Sequence, residues 1–125
     1  VILGILGAMV VPRFVSASSE TRTNALKMNL NRIRSQLLYY QIQHGVFPDL
    51  ASFADQMTQA SDNAGNTALP GTDGFPFGPY LLEIPINPMT GSSTLGDGAV
   101  GSSDWFYDET TGDFRANDSA ETISY

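Results

Sequence analysis

Two hydrophobic patterns follow one another at the start of the chain, and the change between them falls at Pro12. Val1–Val11 reads VILGILGAMVV, with no polar side chain. A helix needs about 20 apolar residues to span a bilayer, so this run alone is too short. It reads as the tail of a longer apolar segment, which places residue 1 downstream of the start of the gene product. A buried helix and a signal-peptide core are the competing readings. A signal core would give way to a cleavage site and an unrelated mature sequence; here the chain continues directly as helix. Pro12 removes one backbone hydrogen bond and crowds the carbonyl four residues back, so a kink is expected. Gly4 and Gly7 loosen the backbone just upstream. Gly4, Gly7 and Pro12 together mark the expected flexible point; close packing against another helix is the alternative role for the glycines.

From Arg13 to His44 the pattern becomes amphipathic. Leu26, Leu30, Ile33 and Leu37 are spaced four, three and four apart, on one helical face, and Tyr40 continues the stripe. No Gly or Pro interrupts residues 13–44. Gly45 is placed to cap the helix, and Pro48 prevents its resumption. At about 1.5 Å per residue this segment is roughly 48 Å long. That exceeds the width of a domain this small, so the N-terminal part is expected to protrude.

The remaining pattern is short and broken. Asp49 is placed to cap a helix over Leu50–Thr58, with Leu50, Phe53 and Met57 inward. Residues 59–74 have loop composition. In FPFGPYLLEIPINPMTG, residues 75–91, four prolines forbid a long helix or a central strand. Its apolar residues Phe77, Tyr80, Leu81, Leu82, Ile84 and Ile86 predict an extended segment laid over the core. Residues 92–103 are Gly/Ser-rich loop. Trp105–Tyr107 and Phe114–Ala116 flank DETTGD and predict a β-hairpin with Gly112 in its turn. Asp118–Tyr125 is polar, either loose or an edge strand. The expected fold class is α+β: a long protruding N-terminal α-helix packed against a small antiparallel β-sheet with long loops. Residues 1–12 form the apolar segment, 13–44 the amphipathic half of the same helix, and 45–125 a small head that shares one domain with the helix.

Charge sharpens this division. The chain has 125 residues and a net charge of −7, enough length for one compact domain. Residues 1–44 hold Arg13, Arg22, Lys27, Arg32 and Arg34 against Glu20, a local +4, whereas residues 45–125 hold Arg115 against 12 acids, a local −11. The basic helix and acidic head suggest different neighbours. An acidic majority argues against nucleic-acid binding, which needs a basic surface. The absence of cysteine excludes disulfides, a thiol nucleophile and a Cys-ligated zinc.

The run VILGILGAMVVPRF resembles the N-terminal helix of type IV pilins and type II secretion pseudopilins, in which an apolar stretch leads through a proline into a polar half-helix. The runs GVFPDL, FGPYLLEIPINPMTG and DWFYDETTGDFRAN resemble the head of the major (G-type) pseudopilins and related prepilin-type proteins. Together they cover about half the chain. The resemblance implies a pilin-like fold and a structural subunit of a helical type IV pilus-like or pseudopilus filament, polymerising through its apolar helix. It implies Val1, Ile2, Leu3, Ile5, Leu6, Met9, Val10, Val11 and Phe14 as the filament-core or membrane face. It also implies about ten further residues ahead of Val1, among them a processed, often N-methylated first residue and a glutamate that guides assembly. The implied location is the inner membrane before assembly and then an extracellular cell-surface filament, with a periplasmic pseudopilus acting as a secretion piston as the alternative. The implied partners are further copies of the chain, the inner membrane and the filament assembly machinery.

Several site expectations accompany that reading. Leu26, Leu30, Ile33 and Leu37 pack helix to head. Arg13, Arg22, Arg32 and Arg34 are candidates for charge contacts between subunits, or are merely solvated; Arg13 could equally anchor at lipid headgroups. The major pseudopilins carry a calcium loop, and Asp97, Asp104, Asp108 and Asp113 lie in the corresponding region without the expected spacing. They could ligate Ca²⁺, which takes several oxygen ligands, though such acids are more often loop and turn residues. No P-loop, G-x-S-x-G or H-E-x-x-H occurs, and nothing points to an enzyme or a catalytic residue. A membrane-anchored binding module built on Trp105, Phe106, Tyr107, Tyr39 and Tyr40 is a remote alternative, since aromatics at such spacings are more often core. Asn117-Asp118-Ser119 is a weak glycosylation sequon.

Overall fold

A computed structural model describes the backbone of residues 2–125 and the side chains from Ser19 onward. The chain is α+β, with one long N-terminal helix and two small sheets. Helix α1 spans Ile2–His44. It ends where Gly45 adopts a φ of 78° and donates its N–H to Gln41 O at 2.7 Å. A glycine accepts that left-handed conformation without a Cβ clash.

Leu26, Leu30, Ile33, Leu37 and Tyr40 are all buried, facing Phe53, Met57, Trp105, Tyr107 and Phe114 in one core. Each such side chain contributes roughly 1.5–3 kcal/mol by leaving water. Before Leu26 the picture changes: Ser19, Glu20, Arg22 and Asn24 are exposed. Among the helix residues whose side chains are described, the head therefore covers those from Leu26 onward. The kink expected at Pro12 concerns a stretch whose side chains lie outside the described residues.

The expected inner-membrane location is corrected here. Among the described residues, no helix is long and apolar enough to cross a membrane. Helix α1 has the length, but Arg13, Glu20 and Arg22 follow its apolar start too closely. The surface and periplasmic placements built on that membrane stage are dropped with it.

Helix α2 spans Phe53–Thr58, starting later than the predicted Leu50, and its N-cap is Ser52 rather than Asp49. Competing local bonds cause the delay. Leu50 N–H donates to Glu109 Oε2 at 2.6 Å, and Leu50 O accepts from Phe53 N–H, which makes residues 50–52 a turn. Asp49 is engaged by Gln56, whose Oε1 accepts the Asp49 N–H at 2.8 Å.

A ribbon of β1 (Ala60–Ser61) and antiparallel β2 (Thr67–Ala68) replaces the predicted loop. Asp62 builds its turn: Oδ1 accepts from the N–H groups of Ala64 and Asn66, and Oδ2 from the Asn66 amide. The following proline-rich segment does lie across the core. The N–H groups of Tyr80 and Leu81 both donate to Met57 O, and both side chains are buried. Leu82 and Ile86 are corrected: they are 90% and 58% exposed. The backbone bends at Leu82–Glu83, directly after buried Leu81, and the bend carries Leu82 away from the core.

Strands β3 (Leu95–Gly96), β4 (Trp105–Asp108) and β5 (Asp113–Ala116) form a second sheet in that order. The β4–β5 hairpin is antiparallel, with Trp105 opposite Ala116 and Asp108 opposite Asp113. Strand β3 runs parallel to β4, so the sheet is mixed rather than wholly antiparallel. Asp104 draws β3 into place, because its Oδ2 accepts from Thr94 N–H, Thr94 Oγ1 and Ser92 Oγ, each at 2.7 Å. Within the hairpin Trp105, Tyr107, Phe114 and Ala116 face the core. The buried polar tips are satisfied: Trp105 Nε1 donates to Pro85 O at 2.8 Å, and Tyr107 Oη to Pro48 O at 2.7 Å. The polar C-terminal stretch forms a 3₁₀ helix, Thr122–Ser124, not an edge strand.

Candidate assembly surface

The core stripe of α1 leaves an opposite face uncovered. Met28, Leu38, Tyr39 and Ile42 lie there, 71%, 56%, 52% and 79% exposed. Leu38 and Ile42 are one turn apart, and Met28 and Tyr39 are three turns apart, so the four share one side of the helix. Exposed apolar side chains in such a row are a feature of contact surfaces. The expected helix stripe, Leu26 to Tyr40, is the one that packs inward, and this outer row is additional to it. Its signal was present as the second set of apolar residues at helical spacing.

The arginines expected to act between subunits separate into different settings. Arg22 and Arg32 are exposed. Arg34 is engaged within the subunit, donating from Nε to Phe114 O at 3.0 Å and from Nη2 to Tyr125 O at 2.8 Å. Its role is to hold β5 and the C-terminal stretch to the helix. Lys27 sits over the Tyr125 ring, 4.8 Å from its centroid, and reinforces the same corner. Arg13, the nine apolar residues Val1, Ile2, Leu3, Ile5, Leu6, Met9, Val10, Val11 and Phe14, and the flexible point Gly4, Gly7 and Pro12 lie outside the residues whose side chains are described.

The acids considered for calcium do not converge. Asp104 directs Oδ2 at hydroxyl and amide donors, as above. Burial works against its charge, but the bonds from Thr94, Ser92 and Thr90 outweigh burial and bring its pKa down to about 2. Asp108 Oδ1 accepts from the N–H and hydroxyl of Thr110. Asp113 Oδ2 lies 2.9 Å from Arg115 Nε, within ion-pair distance though not aligned for a hydrogen bond. Asp97 is exposed. Among the described residues, no group of three or more His, Asp or Glu is arranged for a metal ion. This donor set does not fit calcium, whose several oxygen ligands must point inward together.

The aromatic candidates also divide. Trp105, Tyr107 and Tyr40 are buried, and Phe106 lies beneath the Arg115 guanidinium at 4.4 Å. Burial raises the Tyr40 phenol to about 12, with Tyr80, Asp49 and Asp62 adding to the effect. Only Tyr39 of this set is exposed, which leaves no aromatic recognition patch. His44 stacks on Tyr40 at 3.8 Å and shares a hydrogen bond with Ser61 Oγ at 3.0 Å, so it joins the helix end to β1. Asn117 of the sequon is fully buried and donates to Ala99 O and Ser103 Oγ, out of reach of a glycan.

An open groove borders the helix where it meets the proline-rich segment. Asn29 and Arg32 form one wall, and Leu82, Glu83, Pro85 and Ile86 the other, around a volume of about 310 Å³. Asn29 Nδ2 spans it weakly to Ile86 O at 3.4 Å. No protein-family model, curated protein or solved structure matches the chain.

Proposed function

We propose that the protein is a structural subunit of a helical filament with a pilin-like fold, polymerising through α1. The observation that carries this reading is the mismatch between helix and head. Helix α1 runs over 43 residues, yet burial on its described part begins only at Leu26. A helix that continues past its own core, with an apolar sequence at its start, suits packing against other copies. Burying some ten apolar side chains per subunit, at about 1.5–3 kcal/mol each, gives a large gross driving force against the cost of association. The exposed row Met28, Leu38, Tyr39 and Ile42 supports the reading from the other side of the same helix. Head-to-tail contacts between identical subunits propagate as an open helix when the rotation does not close.

The test is polymerisation of the purified full chain, read by sedimentation and negative-stain electron microscopy, beside a form lacking residues 1–18. Filaments from the full chain and a dispersed, folded head from the shortened form are expected. A full chain that stays monomeric throughout a concentration series would sink the proposal.

A further inference from the structure

Two separate parts of the head carry complementary exposed features. At the level of Asn29 and Arg32 lies the groove walled by Leu82 and Ile86, which are 90% and 58% exposed. Leucine and isoleucine left this open beside a concave surface indicate an absent partner. Arg32 lines the same groove, is exposed, and forms no ion pair among the described residues.

The complementary feature is the turn that follows β2. Leu69 is 74% exposed, and Asp73 is exposed four residues later. The turn is preformed: Leu69 O accepts from the N–H of Thr72 at 3.2 Å and from its hydroxyl at 2.7 Å, and Thr72 O accepts from Phe75 N–H at 3.3 Å. A preformed turn loses little freedom on docking. Its ribbon is fixed at the far end of the helix, through the Ser61–His44 hydrogen bond. Arg32 and His44 are 12 positions apart in α1, about 18 Å along the axis. The groove at Arg32 and the ribbon's anchor at His44 are therefore offset along the helix axis.

We infer that the Leu69–Gly74 turn of one copy docks in the Arg32–Leu82–Ile86 groove of the next, with Leu69 between Leu82 and Ile86 and Asp73 at Arg32. The occupant is a second copy because the turn supplies what the groove lacks: an apolar tip with a carboxylate beside it. Glu83 lines the groove as well and repels an incoming acid, so the carboxylate is directed to the Arg32 wall. Two different patches meet in this contact, which makes it heterologous, and a heterologous contact whose rotation does not close propagates as an open helix. The contact is small beside a standard interface of roughly 1,600 Å². It rests on the filament reading above and acts with α1, setting register between copies.

The chain has no cysteine, so an introduced pair can be bridged selectively. Leu69→Cys with Ile86→Cys, treated with a short bis-maleimide in the polymerised full chain, is expected to give a ladder of dimer, trimer and longer species. Each single variant is expected to stay monomeric. Both sites are exposed, so the fold is undisturbed. Monomer or dimer alone, from a preparation that sediments like the parent, overturns this contact and leaves the filament reading intact. A parent that never sediments removes both. Independently, Arg32→Asp is expected to raise the critical concentration about tenfold, and adding Asp73→Arg to restore it. An unchanged critical concentration in Arg32→Asp, or no rescue by the double exchange, also overturns the contact.

Discussion

Arg34, in the C-terminal part of α1, donates a 2.8 Å hydrogen bond to the main-chain carbonyl of Tyr125. A second bond from the same guanidinium reaches Phe114 O at 3.0 Å. One half-buried side chain thus ties the helix both to β5 and to the stretch beyond it, across 80 and 91 positions of sequence. The planar fork of arginine suits two carbonyls at once, and a lysine ammonium does not reproduce it.

Replacing Arg34 is therefore a stability experiment before it is an assembly experiment. Arg34→Lys and Arg34→Met are each expected to lower unfolding free energy by about 1–3 kcal/mol, the range for hydrogen bonds made by a charged group. Urea unfolding followed by Trp105 fluorescence reads the change. Arg32→Met, exposed and outside this network, should move it by no more than about 0.5 kcal/mol. Equal effects at the two positions would contradict the clamp.

Asp104 gives the fold an acid-sensitive joint. Its pKa is depressed to about 2 in the folded chain, whereas an unfolded aspartate titrates near 3.9. A depressed carboxylate stabilises the fold above its unfolded pKa, and that stability is lost as pH falls through the folded value. The window runs from about pH 4 down to about pH 2. The contribution is about 1–2 kcal/mol, reduced from the full shift because water at the neighbouring exposed loop screens part of it. Asp104→Asn should flatten the stability profile in that window and weaken the fold above it. A variant whose profile parallels the parent through the same pH range would show that the Ser92–Thr94 bonds carry no such coupling.

Gly112 closes the β4–β5 turn with a φ of 74°, and a Cβ there would overlap the Phe47 ring. Gly112→Ala therefore meets both backbone strain and a steric clash, at an expected cost of about 1–3 kcal/mol. Pairing it with Phe47→Ala should relieve the clash but leave the strain, so the double variant should lose less than the two single costs added together. Simple additivity in thermal unfolding would mean that the ring and the turn are independent.

The sequence made long-period features legible and hid short ones. The stripe from Leu26 to Tyr40 and the hairpin of Trp105 with Phe114 follow from spacing alone, because each repeats over several turns or alternations. Strand β3 has only two residues in a Gly/Ser-rich run, and it exists because Asp104 pulls Thr94 into register from 10 positions away. Propensity carries no record of such a bond. The same limit applies to charge. Arg32 and Arg34 look alike in sequence, but at 100° per residue they point in different directions around α1, one to solvent and one to the C-terminal stretch. For the assembly surface, the expected apolar residues at the helix start lie outside the described side chains. The exposed row from Met28 to Ile42 is hard to read from sequence because the inner stripe already accounts for the helical periodicity.

That row separates folding from assembly on a single helix. Leu30 is 1% exposed and Ile42 is 79% exposed, although both are aliphatic and both lie in α1. Leu30→Ala leaves a cavity in the core and should cost about 2–5 kcal/mol. Ile42→Ser removes nothing from the core and should change unfolding free energy by no more than about 0.5 kcal/mol. If neighbouring copies cover the outer face, the order reverses for polymerisation. Ile42→Ser should then raise the critical concentration measured by sedimentation, while its monomer unfolds like the parent. A variant with both Met28→Ser and Ile42→Ser should raise it further, since each exchange returns apolar contact area to water. Unchanged polymerisation in the double variant would remove the outer face from the interface.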